Sequence, residues 1–270
     1  MPVWLAALLG VVQGLTEFLP VSSSGHLALF QNFFDIAQYT ENHIAFDIVL
    51  HMGTLVAVAV AFWPDIVDLV CDFFAWVRDG FKVKGIPGRR LIIMLIIATA
   101  PLAVGALLED KISELFQSTL FIGCALLFTA LLLTLADKVG RGYKTARDAS
   151  YKSALAVGLM QLIAVVPGVS RSGSTICGGL FAGFDRQFAV RFAFLLSIPA
   201  VVGAAVFQLP DIASAAGDGL LVYGVGFVAA AVSGYLAIRL VRLLMKKNSF
   251  RVFAVYCAVV GVASIVYSLI

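Results

Sequence analysis

The hydrophobic positions of this chain fall into long runs separated by polar linkers, and the longest runs hold about 18 to 22 residues. A helix needs roughly 20 apolar residues to cross the hydrocarbon core of a bilayer. The alternating pattern of a barrel strand does not occur in these runs. The pattern therefore predicts six transmembrane helices, at about 44–63, 91–108, 119–136, 191–209, 220–238 and 252–270.

Two further apolar segments, 3–30 and 153–180, are interrupted by polar residues, glycine and proline. The first contains the motif QGLTEFLPVSSSGH at 13–26, and the second contains QLIAVVPGVSRSGST at 161–175. Polar, non-helical backbone at membrane depth is tolerated only where it is buried in protein or lines a cavity. We therefore expect each segment to form a re-entrant helix–loop–helix that leaves the membrane on the side from which it entered.

The two motifs align with each other at a constant offset of 148 residues. The identical pairs are Gln13/Gln161, Val21/Val169, Ser22/Ser170, Ser24/Ser172 and Gly25/Gly173. Ser23 meets Arg171 and His26 meets Ser174, so the copies differ where chemistry would matter. The alignment predicts a duplication within one membrane domain, with repeat halves 1–137 and 153–270.

The basic residues predict the orientation of the helices. Fifteen of the nineteen lysines and arginines lie in the linkers 64–90, 137–152 and 239–251. Such linkers remain in the cytoplasm. Six spans then alternate without contradiction, both termini lie on the outer side, and the second repeat is inverted relative to the first.

Composition supports the same fold class, an all-α integral membrane protein. The chain is 61% hydrophobic and 13% charged, and its mean hydropathy is +1.00. The net charge of +3 comes from bases sorted into loops, so no nucleic-acid partner is expected. The four cysteines lie far apart, without the spacing of a metal cage or a disulfide framework.

Both motifs combine helix-breaking proline or glycine with serine and threonine that cap a following helix. Free N–H groups and the positive dipole end at a helix start attract anions, and an arginine fork matches phosphate oxygens. The sequence therefore predicts a phosphate site where the two tips meet. Its candidate binding residues are Gln13, Ser22, Ser24, Gly25, Ser170, Ser172, Gly173, Ser174 and Thr175.

Four residues are the candidate catalytic groups: Glu17, Ser23, His26 and Arg171. Ionisable side chains at membrane depth are costly, and for that reason they indicate function. Simpler interpretations stay open: a buried ion pair that only fastens the halves, a core histidine, and serines that only cap helices. Asp47 and His51 share a helix face, where they either pair, line a pore or support the site.

With these residues in place, the chain closely resembles the bacterial undecaprenyl-diphosphate phosphatase family associated with bacitracin resistance. The resemblance rests on a Glu/Gln-x-x-x-Glu motif running into FLPVSSSGH, seen at 13–26, and on PGxSRSGxT, seen at 167–175. It implies hydrolysis of undecaprenyl diphosphate, a polyprenyl diphosphate lipid, to the monophosphate and inorganic phosphate. Many members have a glutamate where this chain has Gln13, so Glu17 is the one carboxylate left for a metal.

The resemblance also implies dependence on a divalent cation, Mg²⁺ or Ca²⁺, and a place in the bacterial plasma membrane among membrane lipids. The site is expected to open to the outer face. A homodimer is an alternative to a monomer that the sequence does not decide. Ser23 is the expected nucleophile, activated by Glu17 or His26, although attack by His26 or by water gives the same products. The alternative function is a lipid-phosphate transporter, because inverted repeats with broken helices are common in carriers.

Overall fold

The computed structural model describes residues 1–33, 43–83, 85–107, 112, 114–139, 142–207, 219–246 and 249–270. Within these ranges the chain is helical, with short turns between the helices and a single isolated bridge between Lys144 and Phe184. The helices are α1 Val3–Phe18, α2 Ser23–Phe33, α3 His43–Ala61, α4 Trp63–Arg78, α5 Pro87–Thr99, α6 Leu102–Ala106, α7 Thr119–Lys138, α8 Tyr151–Ile163, α9 Arg171–Phe181, α10 Arg186–Phe207, α11 Leu220–Lys246 and α12 Arg251–Leu269.

Long apolar helices dominate the described residues, and this confirms an all-helical integral membrane protein. Five stretches are long and apolar enough to cross a bilayer: Pro87–Gly105, Thr119–Lys138, Arg186–Val206, Leu220–Leu244 and Arg251–Leu269. α3 and α4 together form a sixth candidate, bent by 82° between them. The predicted loops 31–43 and 210–219 lie largely outside the described residues.

One linker is more structured than the sequence analysis predicted. The stretch 64–90 is basic in its second part, but α4 occupies its first part as a helix in which no residue is buried. Asp65, Asp68 and Asp72 lie on this helix, and their three- and four-residue spacing places them on one face. α4 is therefore an amphipathic helix, and it turns sharply away from α3.

Close backbone packing fixes α1, the helix that carries Gln13 and Glu17. A Cβ on Gly10 would lie 2.4 Å from the carbonyl oxygen of Gly226 on α11, and a Cβ on Gly14 would lie 2.5 Å from that of Ala230. Small residues at such positions let two membrane helices approach closely, so that dispersion forces hold them together. α1 consequently packs mainly against α11 from the other half of the chain.

The helix that leads into the second motif is held in a matching way. Gly158 on α8 aligns with Gly10 at the repeat offset, and its Cβ would lie 2.6 Å from the carbonyl oxygen of Ala98 on α5. α8 packs against α5, which belongs to the first half, just as α1 packs against a helix of the second half. The first helix of each repeat is thus clasped by the opposite half, and this brings the two motifs together.

Candidate active site

The first turn connects α1 to α2 through Leu19, Pro20, Val21 and Ser22. Leu19 is extended, and Ser22 has a φ of 74°, in the left-handed region that residues other than glycine seldom adopt. The Ser22 hydroxyl accepts a hydrogen bond from the backbone N–H of Gly25 at 3.2 Å, and the Ser22 carbonyl accepts one from the N–H of His26 at 3.2 Å. Ser22 is therefore the cap of α2.

The second turn, before α9, repeats this cap, but its capping serine is extended, with a φ of -68°. The Ser170 hydroxyl accepts from the N–H of Gly173 at 3.0 Å, and its carbonyl accepts from the N–H of Ser174 at 2.8 Å. The left-handed residue is Gly168, with a φ of 89°. Thr129 on α7 holds this turn, because its hydroxyl accepts from the N–H of Ser170 and donates to the carbonyl of Gly168.

The two turns touch each other. A Cβ on Gly25 would lie 2.9 Å from the Cα of Gly168, so glycine is needed for this approach. The Ser172 hydroxyl donates to the Leu19 carbonyl at 3.0 Å, which joins the start of α9 to the end of α1. The two motifs are therefore in direct contact.

Glu17 lies at the centre of this junction, with only 3% of its side chain exposed. Its Oε1 forms an ion pair with Arg171 of the second motif. Its Oε2 accepts hydrogen bonds from the Ser23 hydroxyl at 2.6 Å and from the Gln13 amide at 3.1 Å. A carboxylate buried this deeply needs such partners, because an unpaired charge in a membrane protein interior is strongly unfavourable.

The remaining predicted phosphate-binding residues differ in what they contact. The Thr175 hydroxyl donates to the backbone carbonyls of Arg171 and Ser172, so it is satisfied within its own helix. Ser24 lies within 3.4 Å of the Ser22 hydroxyl. The Ser174 hydroxyl is buried without a hydrogen-bond partner among the described residues. Whether any of them binds phosphate stays a prediction.

His26 is placed beside the cluster but is bonded elsewhere. Its Nδ1 donates to the Ser22 carbonyl at 2.7 Å, since a carbonyl can only accept. In the neutral ring, Nε2 then accepts from the Tyr256 hydroxyl on α12 at 2.8 Å. The tyrosine ring also stacks on the imidazole. The Ser23 hydroxyl donates its hydrogen bond to Glu17 and not to His26. Glu17 is the other base that the sequence predicts for this hydroxyl.

A second imidazole, that of His51, faces the cluster. His51 lies on α3, and its Nε2 is 3.8 Å from Glu17 Oε2. The sequence signal was faint: one imidazole on an otherwise apolar span, four residues after Asp47. Tyr256 and Thr129, which position His26 and the second turn, carried no signal in the sequence at all.

The donors available for a cation are few. Among the described residues, no three histidine, cysteine, aspartate or glutamate side chains come close enough to form a metal cluster. Glu17 is a carboxylate, and the neighbouring Gln13 Oε1 is buried without a hydrogen-bond partner. Mg²⁺ takes one or two protein oxygens and fills its shell with water and substrate phosphates, so these two oxygen donors fit such an ion.

The fold and the cluster define a helical membrane protein with a carboxylate, a hydroxyl and a guanidinium joined inside the membrane domain. The family model described as bacitracin resistance protein BacA matches residues 6–263, and the chain belongs to that family. A protein of Methanosphaera stadtmanae named undecaprenyl-diphosphatase is 42% identical over 98% of both chains. One of the same name from Alkaliphilus metalliredigens is 41% identical over 100% of both chains.

Proposed function

We propose that this chain hydrolyses undecaprenyl diphosphate to undecaprenyl phosphate and inorganic phosphate at the junction of the two motifs. The observation that carries the proposal is the contact between Ser23, Glu17 and Arg171. A hydroxyl donating to a buried carboxylate, beside a guanidinium, is the arrangement that an activated nucleophile and a phosphate clamp require. Relatives named undecaprenyl-diphosphatase, at about two-fifths identity along nearly the whole chain, support the choice of substrate.

The chemistry follows from these contacts. Ser23 Oγ attacks the terminal phosphorus, its proton passes to Glu17 Oε2, and the bond between that phosphorus and the bridging oxygen breaks. The polyprenyl phosphate leaves, and water then releases phosphate from Ser23. Arg171 binds the phosphoryl oxygens and stabilises the charge that grows on them, which is the main task in phosphoryl transfer. Attack by His26 is disfavoured, since both of its ring nitrogens are engaged.

A divalent cation, Mg²⁺ or Ca²⁺, belongs to this proposal. Gln13, through Oε1, and Glu17 are the residues that would hold it. When bound, the ion neutralises charge on the transferring phosphoryl group. Gln13→Ala is expected to raise the concentration of cation needed for half-maximal activity, whereas Gln13→Glu lowers it. Equal cation dependence in both variants and the parent would count against this ligand.

The proposal includes the orientation of the site. The elements α1–α2 and α8–α9 are re-entrant, the repeats are inverted, and the site opens to the outer face of the plasma membrane. The matched clasping of α1 and α8 by the opposite half supports this symmetry. The lipid tail lies between helices while the diphosphate enters the polar junction.

The activity is tested with purified protein in detergent, supplied with polyprenyl diphosphate and Mg²⁺ in the absence of any gradient. We expect the parent to release inorganic phosphate and Ser23→Ala to lose about 10³-fold in kcat. Ser268→Ala is the matched control, because this hydroxyl donates only to a backbone carbonyl near the end of α12. A parent enzyme that releases no phosphate would refute the function, and an active Ser23→Ala variant would refute the nucleophile.

A transporter of lipid phosphate is the second candidate, favoured by the repeated broken helices. A carrier of this type rocks one half against the other. Here the first helix of each half is clasped by the other half, with backbone contacts that leave little room to slide. Gradient-free phosphate release therefore separates the two functions, and the phosphatase is the better fit.

Orientation has its own test. Single cysteines introduced at Asn32 and Leu220, both exposed, should react with an impermeant reagent on intact cells. A cysteine at Arg147 in the predicted cytoplasmic linker should react only after the membrane is opened. The native cysteines are replaced first, because Cys71 and Cys124 are exposed. The reverse labelling pattern would overturn the predicted topology.

A further inference from the structure

His51 is the imidazole whose free edge faces the carboxylate cluster. Its Nδ1 lies 2.8 Å from the main-chain carbonyl of Asp47, one turn earlier on α3, and a carbonyl only accepts. Nδ1 therefore carries the proton, and in the neutral ring Nε2 has an available lone pair. That nitrogen lies 3.8 Å from Glu17 Oε2, too far for a direct hydrogen bond.

Accessibility distinguishes His51 from His26. The His51 side chain is 35% exposed, whereas His26 as a residue is only 4% exposed and has both ring nitrogens in hydrogen bonds. A group that exchanges a proton with water must be reachable by that water. His51 is the more open of the two imidazoles, and His26 holds the first turn in place through the Ser22 carbonyl.

The position relative to Ser23 is equally favourable. The Ser23 hydroxyl and His51 Nε2 both lie within 4 Å of the same carboxylate oxygen of Glu17. A phosphoryl group on Ser23 would therefore be near the imidazole, and a water between them could contact both.

We propose that His51 is a catalytic residue, the general base that activates the hydrolytic water. The water oxygen forms a bond to the phosphorus of phosphorylated Ser23, and its proton passes to His51 Nε2. The bond between phosphorus and Ser23 Oγ breaks, and Oγ regains the proton that Glu17 received in the first step. The imidazolium then returns its proton to solvent or to the departing phosphate. This inference rests on the proposed phosphatase function.

Three substitutions distinguish a general base at position 51 from a residue that only supports the structure. His51→Ala removes the ring. His51→Asn keeps a donor that can reach the Asp47 carbonyl but lacks the Nε2 edge, and His51→Gln keeps a polar group near Nε2 that is not basic. We expect kcat to fall by about 10²- to 10⁴-fold in all three, with KM changed little, because general-base catalysis is worth that much.

Two further measurements make the result specific. Added imidazole should restore part of the kcat of His51→Ala, since the exposed position leaves room for a small base. Phosphorylated Ser23 should accumulate in His51→Gln after acid quenching and should be detectable by mass spectrometry. Thermal unfolding of each variant reports on folding, and imidazole rescue identifies a base even in a destabilised variant.

The outcomes are distinguishable. If the parent enzyme releases no phosphate, the proposed function fails and His51 has no reaction to serve. If the parent is active and the variants match it, only the role of His51 is overturned. A rise in KM alone, or a loss of kcat with neither imidazole rescue nor phosphorylated Ser23, would make His51 a substrate-positioning residue and would also overturn the proposal.

Discussion

The two turns of this protein share one kind of helix cap and carry different side-chain groups. In each, a serine hydroxyl caps the following helix at the N–H of a glycine three residues later: Ser22 with Gly25, and Ser170 with Gly173. In each, the hydroxyl of the capping serine also lies near that of the serine two residues later, at 3.4 Å and 3.3 Å. The cap network is therefore common to both copies, whereas the reactive groups are not.

The side chains proposed to react are divided between the two motifs. The first motif supplies Glu17, which aligns with Val165, and Ser23, which aligns with Arg171. A carboxylate, a hydroxyl and a guanidinium thus meet only because the two turns face each other. In the proposed function, the first turn carries the nucleophile and the base, and the second turn carries the guanidinium that binds phosphate.

The largest effect is expected from Arg171→Ala, which removes the only charge that the second motif contributes. We expect kcat for phosphate release to fall by about 10³-fold or more, since an arginine at a transferring phosphoryl group is worth that much. Stability should fall too, by about 3–5 kcal/mol, because Glu17 becomes an unpaired buried carboxylate. Phosphate release and thermal unfolding in detergent measure the two effects.

The double variant Arg171→Ala/Glu17→Gln separates these effects. Neutralising the carboxylate should recover part of the lost stability but none of the activity. If the double variant recovered activity, the pair would only fasten the two halves together, and the division of chemistry between the turns would be wrong.

The turns themselves could be predicted from the sequence because their signals are local. Proline, glycine and capping serines predict a helix break, and the constant offset between the motifs indicates that the two breaks are related. That Glu17 and Arg171 should meet followed from the cost of isolated charges in a membrane. The contact of His51 with Glu17 could not be predicted, since it depends on how α3 packs against α1.

Helix α4 is another element whose structure could not be predicted from the sequence. The basic residues further along the same linker led to its interpretation as a cytoplasmic linker. The acidic residues of α4, a helix without buried positions, were not used to predict a helix there. The amphipathic spacing was present, but the 82° bend that separates α4 from α3 depends on packing rather than on local sequence. Charge distribution predicted the side of the membrane for this linker and not its structure.

A second prediction concerns Gly168, the left-handed residue of the second turn. Gly168→Ala should lower the free energy of unfolding by about 3 kcal/mol, because the new Cβ is strained at a φ of 89° and would lie 2.7 Å from the Cβ of Ala125. Chemical or thermal unfolding measures the loss. A neutral Gly168→Ala variant would mean that the second turn is looser than its contacts with α7 indicate.

Substitutions at Gly10 and Gly158 test whether α1 and α8, the helices that lead into the two motifs, are held equally firmly. Gly10→Ala and Gly158→Ala should each destabilise the protein by about 2 kcal/mol, because each Cβ would press on a backbone oxygen of the opposite half. Gly224→Ala on α11 is the control, since nothing lies within 4 Å of its Cβ, and helix propensity should make it neutral or stabilising. Unequal losses at Gly10 and Gly158 would show that one repeat is held more firmly than the other.

The smallest expected effect distinguishes the two caps. Ser170→Ala should cost about 1 kcal/mol, as the loss of a helix cap usually does, and Ser170→Gly only a few tenths. Ser22 has the same cap but a φ of 74°, so glycine there also relieves backbone strain of about 1 kcal/mol. The stability difference between the glycine and alanine variants should therefore be larger at position 22 than at 170. If the difference in stability between the glycine and alanine variants were equal at the two positions, the first turn would relax when its cap is removed. Ser22 would then be strained only because its own hydroxyl and carbonyl hold the start of α2.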